Sequence, residues 1–224
     1  MPLNDLLDET LEAADTDCWD RERTATPIRA FAVRLHSAGL SLRETVAILD
    51  LLDVDRSHGA VWDWTHRLAD DQDDPPRRTP QRVAVDETAI QIGTEWRWCY
   101  AAIDLDSMLV LDIEVFSRRG TDPAAAFLSR LAEYHDLSEA ELLVDSFGYR
   151  TALSRLGLSG HVEYSGRNHI ERWFQTLKQR TKRFYTTWNG GPASIRRWLK
   201  RFVHYYNTQR PHRALNGRTP AEEA

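Results

Sequence analysis

Apolar residues in the first third of the chain recur at helical spacing. Two stretches follow one another, with apolar positions at Ile28, Phe31, Ala32 and Leu35, and then at Leu42, Val46 and Leu49. A turn at residues 39–41 separates them, and Ser41 with Glu44 has the pattern of a capping box. A third helix is predicted from about Ser57 through Leu68. Three short helices are therefore expected before residue 70.

After residue 80 the pattern changes to short apolar runs that are typical of strands. Strands are predicted at 81–90, 96–105, 108–116, 141–145 and 161–164. Helices are predicted from 121 or 123 to about 135, over 149–157, and where Ile170, Trp173, Phe174 and Leu177 recur at helical spacing. The first three strands form an antiparallel meander, and the later strands alternate with helices.

This order of elements predicts an α/β fold of the ribonuclease-H-like type, a mixed sheet flanked by helices. In that fold the first and fourth strands are neighbours at the centre of the sheet. We divide the chain into a small all-α region at 1–69 with a helix-turn-helix, an acidic, proline-containing linker at 70–80, and the ribonuclease-H-like domain at 81–220.

Three carboxylates stand out against this pattern. Asp86 closes the apolar run 83–85, Asp145 ends the run 142–144, and Glu171 lies beside the apolar stripe of the last predicted helix. A buried strand should not carry an unpaired charge, and strand ends in an α/β sheet face the crevice where ligands bind. Converging carboxylates hold hard cations such as Mg²⁺ or Mn²⁺. The alternative is that each one is a turn residue, a helix cap or half of a solvated ion pair.

Three other acidic residues in predicted strands are not assigned to this site. They are Glu87, Asp104 and Asp112.

The net charge of −5 conceals an uneven distribution. Residues 1–80 carry 9 basic and 17 acidic side chains, residues 81–160 carry 7 and 13, and residues 161–220 carry 13 and 2. The basic segment is rich in aromatic residues and suits a polyanion such as DNA. The alternative is that most of its rings are core and about half of its cations form a solvated helix face.

The candidate phosphate contacts come from this basic segment. They are Arg167, Asn168, His169, Lys178, Arg180, Lys182 and Arg183, followed by Arg196, Arg197, Lys200 and Arg201. Arg210, Pro211 and His212 could instead fix the C-terminal segment against the core.

The N-terminal helices resemble a helix-turn-helix unit. If they read DNA, the candidate contacts are Ser57, His58, Trp62 and Arg67. The alternative is a helical hairpin that packs on the next domain, and the acidic composition of this region keeps that alternative open.

Composition narrows the class of protein. A chain of 224 residues with 42% hydrophobic content can bury a substantial core. No apolar run has the length of a membrane span, and Cys18 and Cys99 lack metal-ligand spacing, so we expect a cytoplasmic protein with reduced thiols. Only three of 29 basic residues are lysines, which fits either a salty cytoplasm, as in a haloarchaeon, or a GC-rich genome.

Four segments together resemble the DDE transposases of insertion sequences, in the family numbered six. They are VAVDET, LLVDSFGYR, RNHIERWFQTLKQR and YYNTQRPHRALNGRTPAEE, and the resemblance extends from the helix-turn-helix to Pro220. It implies that Asp86, Asp145 and Glu171 bind two Mg²⁺ ions, for which Mn²⁺ can substitute, and that Lys178 contacts DNA near the transposon end. It also implies nicking at terminal inverted repeats and transfer of the 3′-hydroxyl to target DNA by a nucleoid-associated dimer or higher oligomer.

One departure from the family concerns spacing. Asp145 and Glu171 are 26 positions apart, which is shorter than in many members. This spacing is compatible with a compact active enzyme or with an internal deletion that weakens activity. Two further functions therefore stay open: a DNA-binding regulator with an inactive ribonuclease-H-like domain, and a metal-dependent nuclease that does not join strands.

Overall fold

The computed structural model describes residues 17–19, 23–145, 147–162, 168–182, 188 and 190–224. The chain forms two units, Met1–Asp73 with Arg197–Tyr205, and Asp74–Arg196 with Tyr206–Ala224. Residues 197–205 thus group with the helical unit, although the sequence analysis assigned them to the α/β domain. Within the described part of the chain, no helix combines the length and the apolar character needed to cross a membrane.

Three helices make up most of the helical unit. They are α1 (Thr26–Ala38), α2 (Leu42–Asp50) and α3 (His58–Asp71), preceded by a 3₁₀ turn at Asp17–Trp19. The Ser41 hydroxyl accepts from the Glu44 N–H at 3.2 Å, and the Glu44 carboxylate accepts from the Ser41 N–H at 2.7 Å. The predicted capping box and the three predicted helices are confirmed. Because α3 continues to Asp71, the first two residues of the predicted linker are helical.

The α/β unit contains five strands and most of the remaining helices. The strands are β1 (Arg82–Ile92), β2 (Glu95–Asp104), β3 (Val110–Phe116), β4 (Glu141–Val144) and β5 (Gly160–Val162). The helices are α4 (Thr121–Tyr134), α5 (Phe147–Leu156), α6 (Asn168–Lys182) and α8 (Pro220–Glu223), and both ends of α7 (Pro192–Thr208), whose residues 197–205 group with the helical unit.

The strands form one sheet in the order β3-β2-β1-β4-β5. β1, β2 and β3 are antiparallel neighbours, whereas β4 runs parallel to β1, and β5 runs parallel to β4. This is the mixed five-stranded sheet of the ribonuclease-H-like fold, and it confirms the predicted fold class and the adjacency of the first and fourth strands.

Each face of the sheet is buried by a different set of residues. One face carries Val83, Val85 and Val144, which pack in one core with residues of α4 and α5. The opposite face of β1 carries the buried Ala84, and α6 contacts β1 and β2. α6 buries a stripe along one side, formed by Ile170, Trp173, Phe174 and Leu177, as its apolar spacing predicts.

Asn207 in α7 pairs with the backbone of the edge strand β3. Its side-chain oxygen accepts from the Val110 N–H at 2.9 Å, and its side-chain nitrogen donates to the Val110 carbonyl at 2.9 Å. Both residues are buried. The amide therefore satisfies two backbone groups that an edge strand would otherwise leave without a partner.

We expect Asn207→Ala to lower the free energy of unfolding by about 2–4 kcal/mol, because two buried backbone groups lose their partners. The exposed neighbour Thr208→Ala is the control and should cost less than about 0.5 kcal/mol. Urea unfolding measures both variants. Equal costs would show that the Asn207 amide does not support β3.

His135, directly after α4, ties the segment before β1 to the sheet. Its Nδ1 accepts from the Arg78 N–H at 3.2 Å, and its Nε2 donates to the Leu111 carbonyl at 3.3 Å. Both contacts require the neutral imidazole with its proton on Nε2. Burial lowers the pKa of His135, and the charges of Arg77 and Arg78 act in the same direction, against the Leu111 hydrogen bond.

This lowered pKa predicts an acid-sensitive contribution to stability. Below the ordinary pKa of 6.5 the unfolded chain takes up a proton that the native His135 resists, so stability falls as the pH drops through that value. As the pH drops through 6.5, we expect the melting temperature of His135→Asn to fall less than that of the wild type, because asparagine does not titrate. The exposed His58→Asn is the control, and a variant profile parallel to that of the wild type would contradict the prediction.

Candidate active site

Among the described residues, no strand pairs with the middle of β1 on the side where β4 lies. β4 ends at Val144, whereas β1 continues to Ile92. Further along the same side of β1, the Trp188 N–H donates to the Gln91 carbonyl at 2.9 Å, and the Trp188 carbonyl accepts from the Gly93 N–H at 2.8 Å. We use the word crevice for the position beside β1 between its pairing with β4 and its contact with Trp188, because ligands bind at such strand ends in α/β sheets.

Asp86 and Asp145 meet at the start of this crevice. The parallel register pairs Val83 with Leu142 and Ala84 with Leu143, so its continuation sets Asp86 beside Asp145. Asp86 is only 8% exposed, and its Oδ1 accepts from the Glu87 N–H at 2.8 Å. The predicted convergence of the two aspartates is therefore present in the structure.

Glu87 completes a cluster of three carboxylates, which we call the acidic cluster. Asp86, Glu87 and Asp145 each offer an oxygen, and these oxygens lie within 4.8 Å of one another. The Tyr149 hydroxyl donates to Glu87 Oε2 at 2.6 Å and holds that carboxylate in place. The sequence analysis left Glu87 out of the site, whereas in the structure its carboxylate lies within 4.8 Å of those of Asp86 and Asp145.

The other two acidic strand residues lie outside the acidic cluster. Asp104 accepts from the Ser107 hydroxyl at 2.6 Å within the turn after β2. Asp112 pairs with Arg130 at 2.6 Å. Both therefore have local partners, which agrees with their omission from the predicted site.

The acidic cluster suits a hard divalent cation. Three carboxylates at this separation repel one another unless a cation or a proton intervenes. Burial raises the pKa of Glu87, and the charges of Asp145 and Asp86 add to that rise, while the Tyr149 hydrogen bond opposes it. Oxygen ligands of this type fit Mg²⁺ or Mn²⁺ better than softer metals.

Glu171 lies close to the sheet but does not belong to the acidic cluster. It occupies the first turn of α6, where the helix dipole favours a negative charge, and its side chain is exposed. α6 contacts β1 and β2, the strands next to the crevice. Among the described residues, the cluster of mutually close ligand oxygens includes Asp86 and Asp145 but not Glu171.

The other predicted residues of α6 fall into two groups. Gln175 and Lys178 are exposed like Glu171, so these three residues form a polar stripe beside the apolar one, and Arg180 is half-buried. Arg167 and Arg183 lie outside the described residues, as do the side chains of Asn168, His169 and Lys182.

Several cations of α7 have partners inside the protein. Arg196 pairs with Glu114 at 2.7 Å, and Arg197 pairs with Asp70 at 2.8 Å. Arg201 is 3% exposed, and burial lowers its pKa to about 9. These three arginines are therefore weaker candidates for phosphate contacts than the sequence suggested.

The C-terminal motif packs around Tyr206. The Arg210 guanidinium lies 5.6 Å from the Tyr206 ring centroid, and the His212 ring lies 4.6 Å from it, edge to face. Tyr206 in turn contacts Trp173 of α6, with 6.4 Å between ring centroids. Arg210 and His212 thus fix the C-terminal segment onto the α/β unit.

The four candidates of the helical unit have mixed environments. Ser57 caps α3 by accepting from the Ala60 N–H at 3.2 Å, and His58 is exposed. The Trp62 ring lies 4.0 Å from the His66 ring, and Arg67 pairs with Asp63 at 2.9 Å. DNA contact by these residues stays a prediction.

The sheet order and the paired aspartates agree with the predicted ribonuclease-H-like fold. Residues 80–186 match the family described as DDE domain, and residues 166–220 match the family described as integrase core domain. These two matches, which together span residues 80–220, support a DDE transposase/integrase domain of the ribonuclease-H-like type. The family number and the haloarchaeal source stay predictions.

The chain is similar in sequence to an archaeal protein and in structure to the catalytic core domains of two viral integrases. An uncharacterised protein of Methanocaldococcus jannaschii is 28% identical over 191 residues, which cover 84% of this chain and 88% of that protein. The catalytic core domain of BIV integrase is 16% identical with a TM-score of 0.47, covering 63% of this chain and 91% of that one. The HTLV-2 integrase catalytic core domain in complex with magnesium is 12% identical with a TM-score of 0.48, covering 66% and 99%.

The acidic cluster predicts that Glu87→Gln has opposite effects on thermal stability in the absence and in the presence of metal. Glu87→Gln removes a charge and keeps an acceptor for Tyr149, so we expect a higher melting temperature of the metal-free protein and less stabilisation by MgCl₂. The native Glu87 holds a proton more tightly than the unfolded chain does, so wild-type stability should fall as the pH rises above 4.5, and the variant should lose less.

Glu139→Gln is the matched control, because it removes the same charge from an exposed loop. Thermal unfolding with and without MgCl₂ measures both variants. An unchanged response of Glu87→Gln to MgCl₂ would remove Glu87 from the metal site.

Proposed function

We propose that the protein is an insertion-sequence transposase that nicks DNA at the transposon ends and joins the 3′-hydroxyl to target DNA. The observation that carries the proposal is the meeting of Asp86 and Asp145 in a DDE-type fold. Strand cutting and strand joining are both in-line attacks on a phosphodiester, so one site can serve both steps.

The acidic residues would hold two Mg²⁺ ions, or Mn²⁺ in their place. Metal ions bound there would activate the attacking water or 3′-hydroxyl and stabilise the leaving oxygen. Asp86 is our candidate for a ligand shared by both ions, since it is the most buried residue of the acidic cluster. Asp145 and Glu171 would each complete one side.

Glu171 would join the site from α6. This helix rests on β1 and β2 through its buried stripe, and Glu171 extends from its first turn. Binding of metal and DNA would draw the exposed carboxylate toward Asp86, because a shared cation attracts both groups. Lys178, two turns further along the same stripe, would contact the DNA backbone near the transposon end.

The partners follow from this chemistry. The protein would bind the terminal inverted repeats and the target DNA, with Ser57, His58, Trp62 and Arg67 of the helical unit as candidate contacts. Because two ends must be brought together, it would act as a homodimer or a higher oligomer. We place it in the cytoplasm with the nucleoid, where its substrate is.

One observation favours a second function. Glu171 lies outside the acidic cluster, and only 26 positions separate it from Asp145. A protein in which Glu171 fails to reach the metals would bind transposon ends without reacting and act as a regulator.

We expect Asp86→Asn, Asp145→Asn and Glu171→Gln each to reduce strand transfer by about two orders of magnitude or more without lowering the melting temperature of the metal-free protein, because each removes one metal ligand. The assay incubates the full chain with Mg²⁺ and an oligonucleotide that carries the terminal inverted repeat. Glu139→Gln is again the control for loss of charge.

The wild-type products separate the candidate functions. Joined strands support the transposase, cutting without joining indicates a nuclease, and binding without either reaction indicates the regulator. Full activity in any one of the three variants would remove that residue from the site.

A further inference from the structure

The loop between β3 and α4, residues 117–120, lies at the same end of the sheet as the crevice. β3 and β1 are both antiparallel to β2, so they run in the same direction, as does β4. The loop therefore leaves the sheet at the same end at which β4 ends and the acidic cluster lies.

One hydrogen bond holds the end of this loop in place. The Gly120 N–H donates to the Tyr100 hydroxyl at 3.2 Å, and Gly120 has a φ of 128°, which other residues rarely adopt. Arg118 forms an ion pair with Asp122 of α4 at 3.2 Å, but both side chains are exposed, so the pair contributes little to the position of the loop.

Arg119 stacks on an aromatic ring next to the acidic cluster. Its guanidinium carbon lies 4.6 Å from the centroid of the Trp98 ring. Trp98 pairs with Ala89, whereas Tyr100 pairs with Glu87, so the Trp98 ring lies on the Glu87 face of the sheet, two residues further along. The positive charge of Arg119 lowers the pKa of Glu87, against the larger effect of burial, which agrees with this proximity.

Arg119 combines exposure with a fixed orientation. Its side chain is exposed, and within the described part of the chain no carboxylate forms an ion pair with it. A guanidinium that stacks through its flat face keeps its N–H groups directed outward in its plane. Two such groups match two oxygens of one phosphate.

We propose that Arg119 binds a phosphate of the DNA strand that enters the active site, next to the phosphodiester that reacts. This inference rests on the proposed function. Three clustered carboxylates repel a DNA strand, so a cation at their border lowers the electrostatic cost of bringing the strand to the metals. Arg119 supplies that cation from the β3–α4 loop, independently of the basic C-terminal segment.

The test compares Arg119→Ala with Arg118→Ala, which removes the same charge from the adjacent exposed position. The full chain is titrated into a short fluorescein-labelled duplex of arbitrary sequence, with Ca²⁺ in place of Mg²⁺, at several salt concentrations. We expect Arg119→Ala to weaken binding roughly threefold to tenfold and to reduce the salt slope by about one. Arg118→Ala should stay within about twofold of the wild type.

Two further measurements separate phosphate binding from a structural role. Arg119→Lys keeps the charge but loses the planar fork, so its affinity should fall between those of the wild type and Arg119→Ala. Stabilisation by MgCl₂ should be undiminished in Arg119→Ala, since a nearby positive charge is removed from the metal site. Reduced stabilisation would mean that Arg119 arranges the acidic cluster, and would overturn the inference.

Failure of the inference differs from failure of the proposed function. If Arg119→Ala and Arg118→Ala bind DNA alike while the wild type joins strands, Arg119 is not a phosphate contact and the transposase proposal stands. If the wild type never joins strands but only Arg119→Ala loses affinity and salt dependence, Arg119 still binds a phosphate in a protein of different activity.

Discussion

The acidic cluster is the constraint on which the rest of the α/β unit depends. Carboxylates whose oxygens lie within 4.8 Å of one another repel, so the fold must hold them together by other means. Asp86 is fixed within a buried strand, Asp145 follows from the parallel pairing of β1 with β4, and Glu87 is held by Tyr149. A cation that binds there relieves the repulsion, and metal binding is favoured because the ligands are already assembled.

Remote parts of the chain support this arrangement through packing. Asn207 satisfies the backbone of the edge strand β3, and the adjacent Tyr206 packs on Trp173 of α6. One short segment of α7 therefore contacts both an edge of the sheet and the helix that carries Glu171. The C-terminal motif would act on the proposed site through the position of α6, and its sequence pattern reflects packing as well as charge.

The sequence predicted Asp86 and Asp145 as neighbours because the order of elements determines which strands pair. Glu87 was left out because the family resemblance does not place it in the catalytic triad. Consecutive strand residues also point to opposite faces, a rule that would separate Glu87 from Asp86. The rule fails here because β4 ends at Val144, so Asp145 lies at an open strand end within reach of both faces. The residue at which a short strand ends depends on tertiary packing, so the local pattern of apolar residues does not predict it.

For phosphate binding, the position of each charged side chain matters more than the net charge of its sequence segment. The segment 161–220 has a net charge of +11, yet Arg196 and Arg197 are neutralised by acids outside that segment, and Arg201 is buried. Arg119 lies in the acidic segment 81–160, so the net charge of its segment does not indicate a phosphate contact. It borders the acidic cluster because β3 is parallel to β1 and its loop leaves the sheet at the same edge. Under the proposed function, a strand of DNA approaching the metal site would meet the local electrostatic field at that end of the sheet, which the charge totals of sequence segments do not describe.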